Sequence, residues 1–171
     1  MKLRDAMEIE KLRTMSNSER LELRARNAVA QWFVRTLIVP NVFFEAQWTD
    51  DTEVDLVAID RAGSGDVHVV EIMSGAKSAS IRAAIRQLLN IRANYLWIAF
   101  VQNKNERPMK MPSKLLYPYR GMGRIGLIRV EHNKDDQLPV RIETKAERFP
   151  GSYYESADRF RSAHKPDIEF R

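Results

Sequence analysis

Two acidic side chains, Asp55 and Glu71, stand in stretches whose other residues are typical of buried β-strands. Because side chains alternate along a strand, Asp55 is predicted to share its face with Val57 and Ile59. Glu71 is predicted to share its face with Val69. A carboxylate on such an apolar face costs several kcal/mol unless it is paired or protonated. Each residue therefore needs a partner, which can be a basic side chain, a proton or a metal cation.

The turn between the two strands decides how close the carboxylates lie. A three-residue loop at 62–64 pairs Asp55 directly with Glu71, and a loop at 63–65 places them one diagonal step apart. Facing Cβ atoms lie about 4.5–5.5 Å apart and diagonal ones about 7–8 Å. Two like charges at these distances repel unless a cation lies between them, and Mg²⁺ or Mn²⁺ prefers oxygen ligands. The structural alternative is that Asp55 lies in water and Glu71 pairs with an arginine from a neighbouring helix.

Hydrophobic periodicity and turn residues predict the elements that hold these residues. A helix begins with Ser16 or Ser18 as its N-cap and ends at Pro40. Its predicted buried stripe is Leu21, Ala25, Ala28, Trp32 and Leu37. The elements predicted after it are strands at 42–48, 53–60 and 67–74, a helix at 78–94, a strand at 95–101, a basic loop at 102–114, a strand at 123–131 and a short helix near 153–163. The second helix is predicted to bury Ile81, Ile85, Leu88 and Leu89. This order predicts an α/β (α+β) fold, a mixed sheet with helices on both faces.

Composition narrows the classes of function. The chain has 171 residues, 44% of them hydrophobic, which predicts one folded domain. It has no cysteine, so a thiolate nucleophile and a cysteine zinc site are excluded, and its three histidines are widely separated. A charged N-terminus and the lack of a membrane-length apolar run predict a cytoplasmic protein without membrane association. The net charge of +5 favours an acidic partner such as nucleic acid.

With these elements in order, the sequence resembles the PD-(D/E)XK nuclease superfamily, which has the restriction-endonuclease-like fold. The resemblance covers roughly residues 18–131: a helix, a three-strand meander, a crossover helix and a further strand. Asp55 matches the acidic residue on the family's second strand. The stretch "EIM" from Glu71 to Met73 matches its (D/E)-x-K motif on the third strand. The resemblance implies a nuclease-like core at about 16–131 and a C-terminal extension at about 132–171.

The function implied by the resemblance is metal-dependent hydrolysis of DNA phosphodiester bonds. Asp55, Glu71 and the Ile72 carbonyl would hold Mg²⁺ or Mn²⁺. Two further residues match family positions around the site: Glu22 on the first helix, with Glu19 behind it, and Gln87 on the crossover helix. A homodimer is a common arrangement in the superfamily, and the aromatic C-terminal extension either packs on the domain or forms such a contact.

Met73 departs from the family pattern because it occupies the position of the lysine. A methionine brings neither charge nor proton. Two interpretations stay open. In the first, Lys77 at the start of the crossover helix restores the charge. In the second, the site is catalytically inactive and the fold binds nucleic acid or a protein partner.

Basic residues near the predicted site are candidates for contacting the phosphate backbone. They are Arg82 and Arg86 on the crossover helix and Lys104, Arg107 and Lys110 in the following loop. No helix-turn-helix or zinc-finger signature accompanies them, so the sequence predicts no base-specific contacts.

Overall fold

A computed structural model describes residues 14–49, 52–60, 65–74, 78–103, 106–107, 111, 113–117, 123–132 and 138–169. The elements in chain order are α1 Asn17–Thr36, β1 Asn41–Thr49, β2 Thr52–Ile59, β3 Val67–Met73, α2 Ser78–Leu89, β4 Tyr95–Asn103, α3 Ser113–Leu116, β5 Gly126–His132, β6 Val140–Thr144, α4 Tyr154–Ala163 and β7 Ile168–Glu169. Among these helices none is long and apolar enough to cross a membrane.

The strands form one mixed sheet in the order β6-β5-β4-β3-β2-β1-β7. The strands β1, β2 and β3 form an antiparallel meander, and α2 then crosses over so that β4 pairs parallel with β3. The strand β5 continues the parallel part, whereas β6 and β7 pair antiparallel at the two ends of the sheet. The predicted mixed sheet and its order of helix, three strands, helix and strand are confirmed. The edge strands β6 and β7 were not predicted.

The first helix begins where the sequence predicted, with Ser16 as its N-cap. The Ser16 Oγ accepts a hydrogen bond from the Glu19 N–H at 3.2 Å, and Glu19 Oε2 accepts one from the Ser16 N–H at 2.6 Å. This capping box satisfies two main-chain donors that the helix leaves free. The helix ends at Thr36, before the predicted Pro40.

The predicted stripe of α1 is only partly correct. The buried residues repeat at intervals of about four, as Ala25, Val29, Ala30, Phe33 and Val34. Trp32 is half-buried, and Leu37 follows the helix and is exposed. The apolar stripe of a sheet-packed helix is wide, and the predicted set followed one of its borders.

Helices cover both faces of the sheet, as predicted. The face under α1 packs Leu56, Val70 and Ala99 against the helix. The opposite face packs Val57, Val69 and Ile98 against α2, α3 and α4. The helix α2 buries Ile81, Ile85 and Leu88, with Leu89 partly buried. The strand β4 is apolar on both sides because it lies inside the sheet.

The helix α2 ends at Leu89, five residues before its predicted end. Asn94 explains the difference because its side chain is buried between β3 and the C-terminal segment. Its Oδ1 accepts a hydrogen bond from the Val67 N–H at 3.0 Å, and its Nδ2 donates to the Gly151 carbonyl at 3.1 Å. These bonds hold Asn94 at the start of β4 and prevent the helix from continuing through it.

The C-terminal extension is part of the same sheet. Phe160 on α4 packs edge-on against Phe43 and Trp48, with ring centroids 5.0 and 5.2 Å apart. Beyond α4, Asp167 Oδ2 accepts a hydrogen bond from the Phe44 N–H at 2.8 Å. This carboxylate satisfies a main-chain donor on the edge of β1, beyond the two residues of β1 that pair with β7. The described part of the extension therefore packs on the domain.

Candidate active site

A break in the alternation of β1 and β2 directs Asp55 toward α1. In β1 Phe43 and Ala46 pack in the core under α2, so the residues between them cannot alternate regularly. Glu45 absorbs the irregularity with a left-handed φ of 47°. The paired strand β2 shows the same break, because Val54 and Val57 both pack in that core.

The predicted face of Asp55 is therefore wrong. Val57 and Ile59 pack in the core under α2, whereas Asp55 lines a cavity beside α1. Alternation fails at Asp55 because β1 is irregular at Glu45 and the paired strand β2 follows the same irregularity.

The register of β2 and β3 places Asp55 opposite Glu71. The last paired residues are Leu56 and Val70, and the next step along both strands brings the two acids together. This is the register expected for the three-residue loop. Regular pairing ends there because Asp55 Oδ2 accepts a hydrogen bond from the Ile72 N–H at 2.7 Å. The carboxylate thus takes the place of a main-chain acceptor and is fixed against β3.

The two carboxyl groups lie within hydrogen-bonding reach of each other. Burial, followed by the charge of Asp55, raises the pKa of Glu71 to about 8. Burial also raises the pKa of Asp55, although its hydrogen bond from Ile72 opposes the shift. The pair therefore shares a proton at neutral pH in the absence of a cation.

Gln87 and Glu22 approach the carboxyl pair from two helices. Gln87 Nε2 on α2 donates to Glu71 Oε1 at 2.8 Å and to the Glu53 carbonyl at 3.2 Å. On α1, burial and then the charge of Asp55 raise the pKa of Glu22. Both helices therefore bring polar side chains to the junction of β2 and β3.

Two cavities meet at this junction. A cavity of about 180 Å³ lies between α1 and the β1–β2 hairpin and is lined by Asp55. A larger one of about 680 Å³ lies between β3 and α2 and is lined by Glu71, Met73 and Gln87. Glu22 and Ile72 line both. The acidic pair thus borders a cavity on each face of the sheet.

The donor set fits a hard divalent cation that keeps part of its water shell. Asp55 and Glu71 offer carboxylate oxygens within reach of each other, and burial is the largest cause that raises the pKa of both, so a bound cation would favour their charged forms. Within the described ranges, no three acidic or histidine side chains form a metal-binding group. An ion held here would therefore take two carboxylates, a main-chain carbonyl and water, as Mg²⁺ commonly does.

Met73 does not supply a positive charge, and its side chain packs against the core under α2. Lys77, which was proposed to replace the missing lysine, lies outside the described residues. The predicted residues Asp55, Glu71, Ile72, Gln87 and Glu22 are brought together.

Of the predicted nucleic-acid contacts, the three described arginines, Arg82, Arg86 and Arg107, do not line either cavity. Arg82 and Arg86 are exposed on α2, and Arg86 Nε donates to the Arg82 carbonyl at 3.3 Å. Arg107 is exposed, and its carbonyl accepts a hydrogen bond from the buried Gln102 at 2.6 Å. Lys104 and Lys110 lie outside the described residues.

Sequence reasoning missed two charged residues at this site, Arg26 and Glu45. Arg26 NH1 lies 2.6 Å from Glu45 Oε1, and both residues line the smaller cavity beside Asp55. The spacing of Glu22 and Arg26 was the available signal, because residues four apart share one face of a helix. Nothing in the strand pattern pointed to Glu45.

Comparison with known proteins gives a likeness of fold. No protein-family model matches the chain, and no curated protein matches it significantly. A solved structure, the SPO1766 protein of unknown function from Silicibacter pomeroyi, is similar with a TM-score of 0.50. It is 15% identical in sequence, and the match covers 88% of this chain and 87% of that one. This similarity supports the architecture.

Proposed function

We propose that this chain is a metal-dependent nuclease that hydrolyses phosphodiester bonds of DNA. The observation that carries the proposal is the acidic pair, in which Asp55 and Glu71 face each other on neighbouring strands, Asp55 is held by the Ile72 N–H, and burial raises the pKa of both carboxyl groups. Structural carboxylates are normally paired with a basic group, and a pair that shares a proton is typical of a functional site. The order of the elements agrees with the resemblance to the PD-(D/E)XK superfamily.

Each residue of the site has a separable role in this reaction. Asp55, fixed by the Ile72 amide, and Glu71 would hold Mg²⁺ together with the Ile72 carbonyl. A bound divalent ion makes water a better nucleophile and offsets charge on the phosphate. Gln87 orients the Glu71 carboxylate through its 2.8 Å hydrogen bond. Glu22, which lines both cavities, would accept a hydrogen bond from a water molecule at the metal.

Hydrolysis adds the oxygen of water to phosphorus and breaks one P–O ester bond. One product carries a phosphomonoester, and the other leaves with a hydroxyl group after its oxygen takes up a proton. With a cation bound, Asp55 on β2 and Glu71 on β3 would both be deprotonated, and the proton that water loses would be balanced by the proton that the leaving oxygen takes up.

A catalytically inactive module that binds nucleic acid is the second candidate. The packing of Met73 against the core favours it, because the position of the family's lysine is filled by an apolar side chain. The first candidate cleaves DNA and the second only binds it. Both predict that the affinity for DNA falls as the salt concentration rises.

Cleavage of plasmid and single-stranded DNA in Mg²⁺, Mn²⁺ or EDTA tests the proposal. Wild type is compared with Asp55→Asn, Glu71→Gln and Lys77→Ala. Glu155→Gln is the matched control, since Glu155 is an exposed carboxylate on α4 outside both cavities. We expect metal-dependent cutting that falls at least about 100-fold in Asp55→Asn and Glu71→Gln and is unchanged in Glu155→Gln.

The outcomes separate the alternatives. Loss of cutting in Lys77→Ala as well would assign the displaced lysine a catalytic role, and unchanged cutting would exclude it. If the purified wild-type protein cuts neither plasmid nor single-stranded DNA with Mg²⁺ or Mn²⁺, the nuclease proposal is overturned. Salt-sensitive DNA binding would then support the inactive module.

A further inference from the structure

Arg26 is a partly buried cation at an otherwise acidic site. Of the described residues that line the two cavities, it alone is basic, whereas five are acidic: Glu19, Glu22, Glu45, Asp55 and Glu71. Its side chain is only 15% exposed, and its guanidinium lies 5.1 Å from the centroid of the Phe44 ring. A phosphodiester is itself anionic, so it meets repulsion from every other charged residue here.

The irregular backbone of β1 holds Arg26 in this position. The φ of 47° at Glu45 is costly for a residue with a β-carbon. It directs the Glu45 carboxylate to Arg26 NH1 at 2.6 Å. Strain of this kind persists where the surrounding structure fixes it, and it is concentrated at functional sites.

The guanidinium retains hydrogen-bonding capacity. Arg26 Nε is buried, and no described residue accepts a hydrogen bond from it. A guanidinium has five N–H donors in a fixed planar arrangement that matches two oxygens of a phosphate. Arg26 also lowers the pKa of Asp55 and of Glu22, against the effect of burial, which places its charge within range of both.

We propose that Arg26 binds the phosphate group of the DNA substrate and supplies the positive charge that Met73 cannot. The proposal rests on the proposed function for the identity of the substrate. It assigns the smaller cavity to the phosphate, because this cavity is lined by both Arg26 and Asp55. The cationic group would thus come from α1, on the opposite side of β2 and β3 from Met73.

The test compares wild type with Arg26→Met, Arg26→Lys and Glu45→Gln. Arg35→Met is the matched control, an exposed arginine at the other end of α1. Cleavage kinetics are measured in Mg²⁺. Affinity for a fluorescein-labelled single-stranded 12-mer is measured by anisotropy with Ca²⁺ in place of Mg²⁺. Melting temperatures check folding, which we expect Arg26→Met to retain because the Glu45 side chain is 55% exposed and can be hydrated.

We expect Arg26→Met to lower kcat/KM by about 100-fold and the affinity by at least about fivefold. Arg26→Lys should recover part of both losses, and Arg35→Met should match wild type. Glu45→Gln keeps the Arg26 guanidinium but removes the ion pair that holds it, so smaller losses of kcat/KM and DNA affinity are expected. If Arg26→Met does not fold, Arg26→Lys and Glu45→Gln decide in its place, and wild-type values in both would overturn the proposal.

The result also distinguishes this inference from the proposed function. Cleavage and binding by Arg26→Met within threefold of wild type would refute a phosphate contact and leave the nuclease intact. DNA binding that depends on Arg26 without any cleavage would support the contact and refute the nuclease. A wild type that neither cuts nor binds DNA would overturn both.

Discussion

Replacing Glu71 with glutamine keeps the shape of the side chain and removes a charge that burial disfavours. The pKa of Glu71 is raised from 4.5 to about 8, so the folded protein resists its ionisation. A raised pKa contributes stability that is fully present below pH 4.5 and lost as the pH rises through 8. Glutamine is neutral at every pH and can still donate a hydrogen bond to Asp55. Glu71→Gln is therefore expected to be more stable than wild type at alkaline pH.

The size of the effect follows from the two pKa values. At 1.36 kcal/mol per pH unit, the difference between 4.5 and about 8 gives an upper limit of about 5 kcal/mol. Glu71 is only partly buried and shares its proton with Asp55, which reduces the difference. We expect Glu71→Gln to exceed wild type by about 2–3 kcal/mol at pH 9 and to equal it within about 0.5 kcal/mol at pH 4.5.

Urea unfolding in EDTA at pH 4.5, 7 and 9 measures the difference, with Glu155→Gln as the control. If the free energies of unfolding of Glu71→Gln and wild type differ by the same amount at pH 4.5 and pH 9, the reasoning is refuted. Repeating the series in Mg²⁺ tests the metal site, because an ion that binds only the folded state stabilises it by about 1.4 kcal/mol at ten times its Kd. Wild type should gain this stability and Glu71→Gln should not.

Two further predictions concern the cores. Burial lowers the pKa of His68 to about 4, and the neutral ring accepts a hydrogen bond from Trp97 Nε1 at 3.3 Å. Wild type should therefore lose about 3 kcal/mol relative to His68→Gln as the pH falls from 6.5 to 4 in urea titrations, and parallel profiles would contradict this. A β-carbon on Gly126 would lie 2.2 Å from Trp97 Cε3. Gly126→Ala should cost about 2–3 kcal/mol by the same measurement, and a change below about 0.5 kcal/mol would show that Trp97 can move aside.

The positions of the central strands and the facing of the two acids could be predicted from the sequence. Asp55 and Glu71 stand out because the residues around them are apolar, and the turn between their strands allowed two registers, of which the structure has the one that pairs them directly. The N-cap was equally local, since Ser16 and Glu19 have the spacing of a capping box. These features depend on neighbours in the sequence or on a single hairpin.

The rest depends on contacts between distant segments. The irregularity at Glu45 directs its side chain to Arg26, nineteen positions earlier in the chain. The strand β7 has two residues and exists because β1 provides an open edge. Neither has a local pattern of alternation or turn residues. The sequence therefore predicted that Asp55, Glu71, Gln87 and Glu22 lie together, but it did not predict the face that Asp55 occupies or the presence of Arg26 and Glu45 beside it.

Both edges of the sheet are formed by segments that follow β5 in the chain. During synthesis from the N-terminus, the five strands from β1 to β5 emerge before either β6 or β7. A nascent sheet at that stage has two rows of unpaired main-chain donors and acceptors, one along β1 and one along β5. Such open edges can pair with other chains and lead to aggregation. We therefore expect a fragment that ends at residue 131 to associate with itself, and the extension to act as an intramolecular protection against this association.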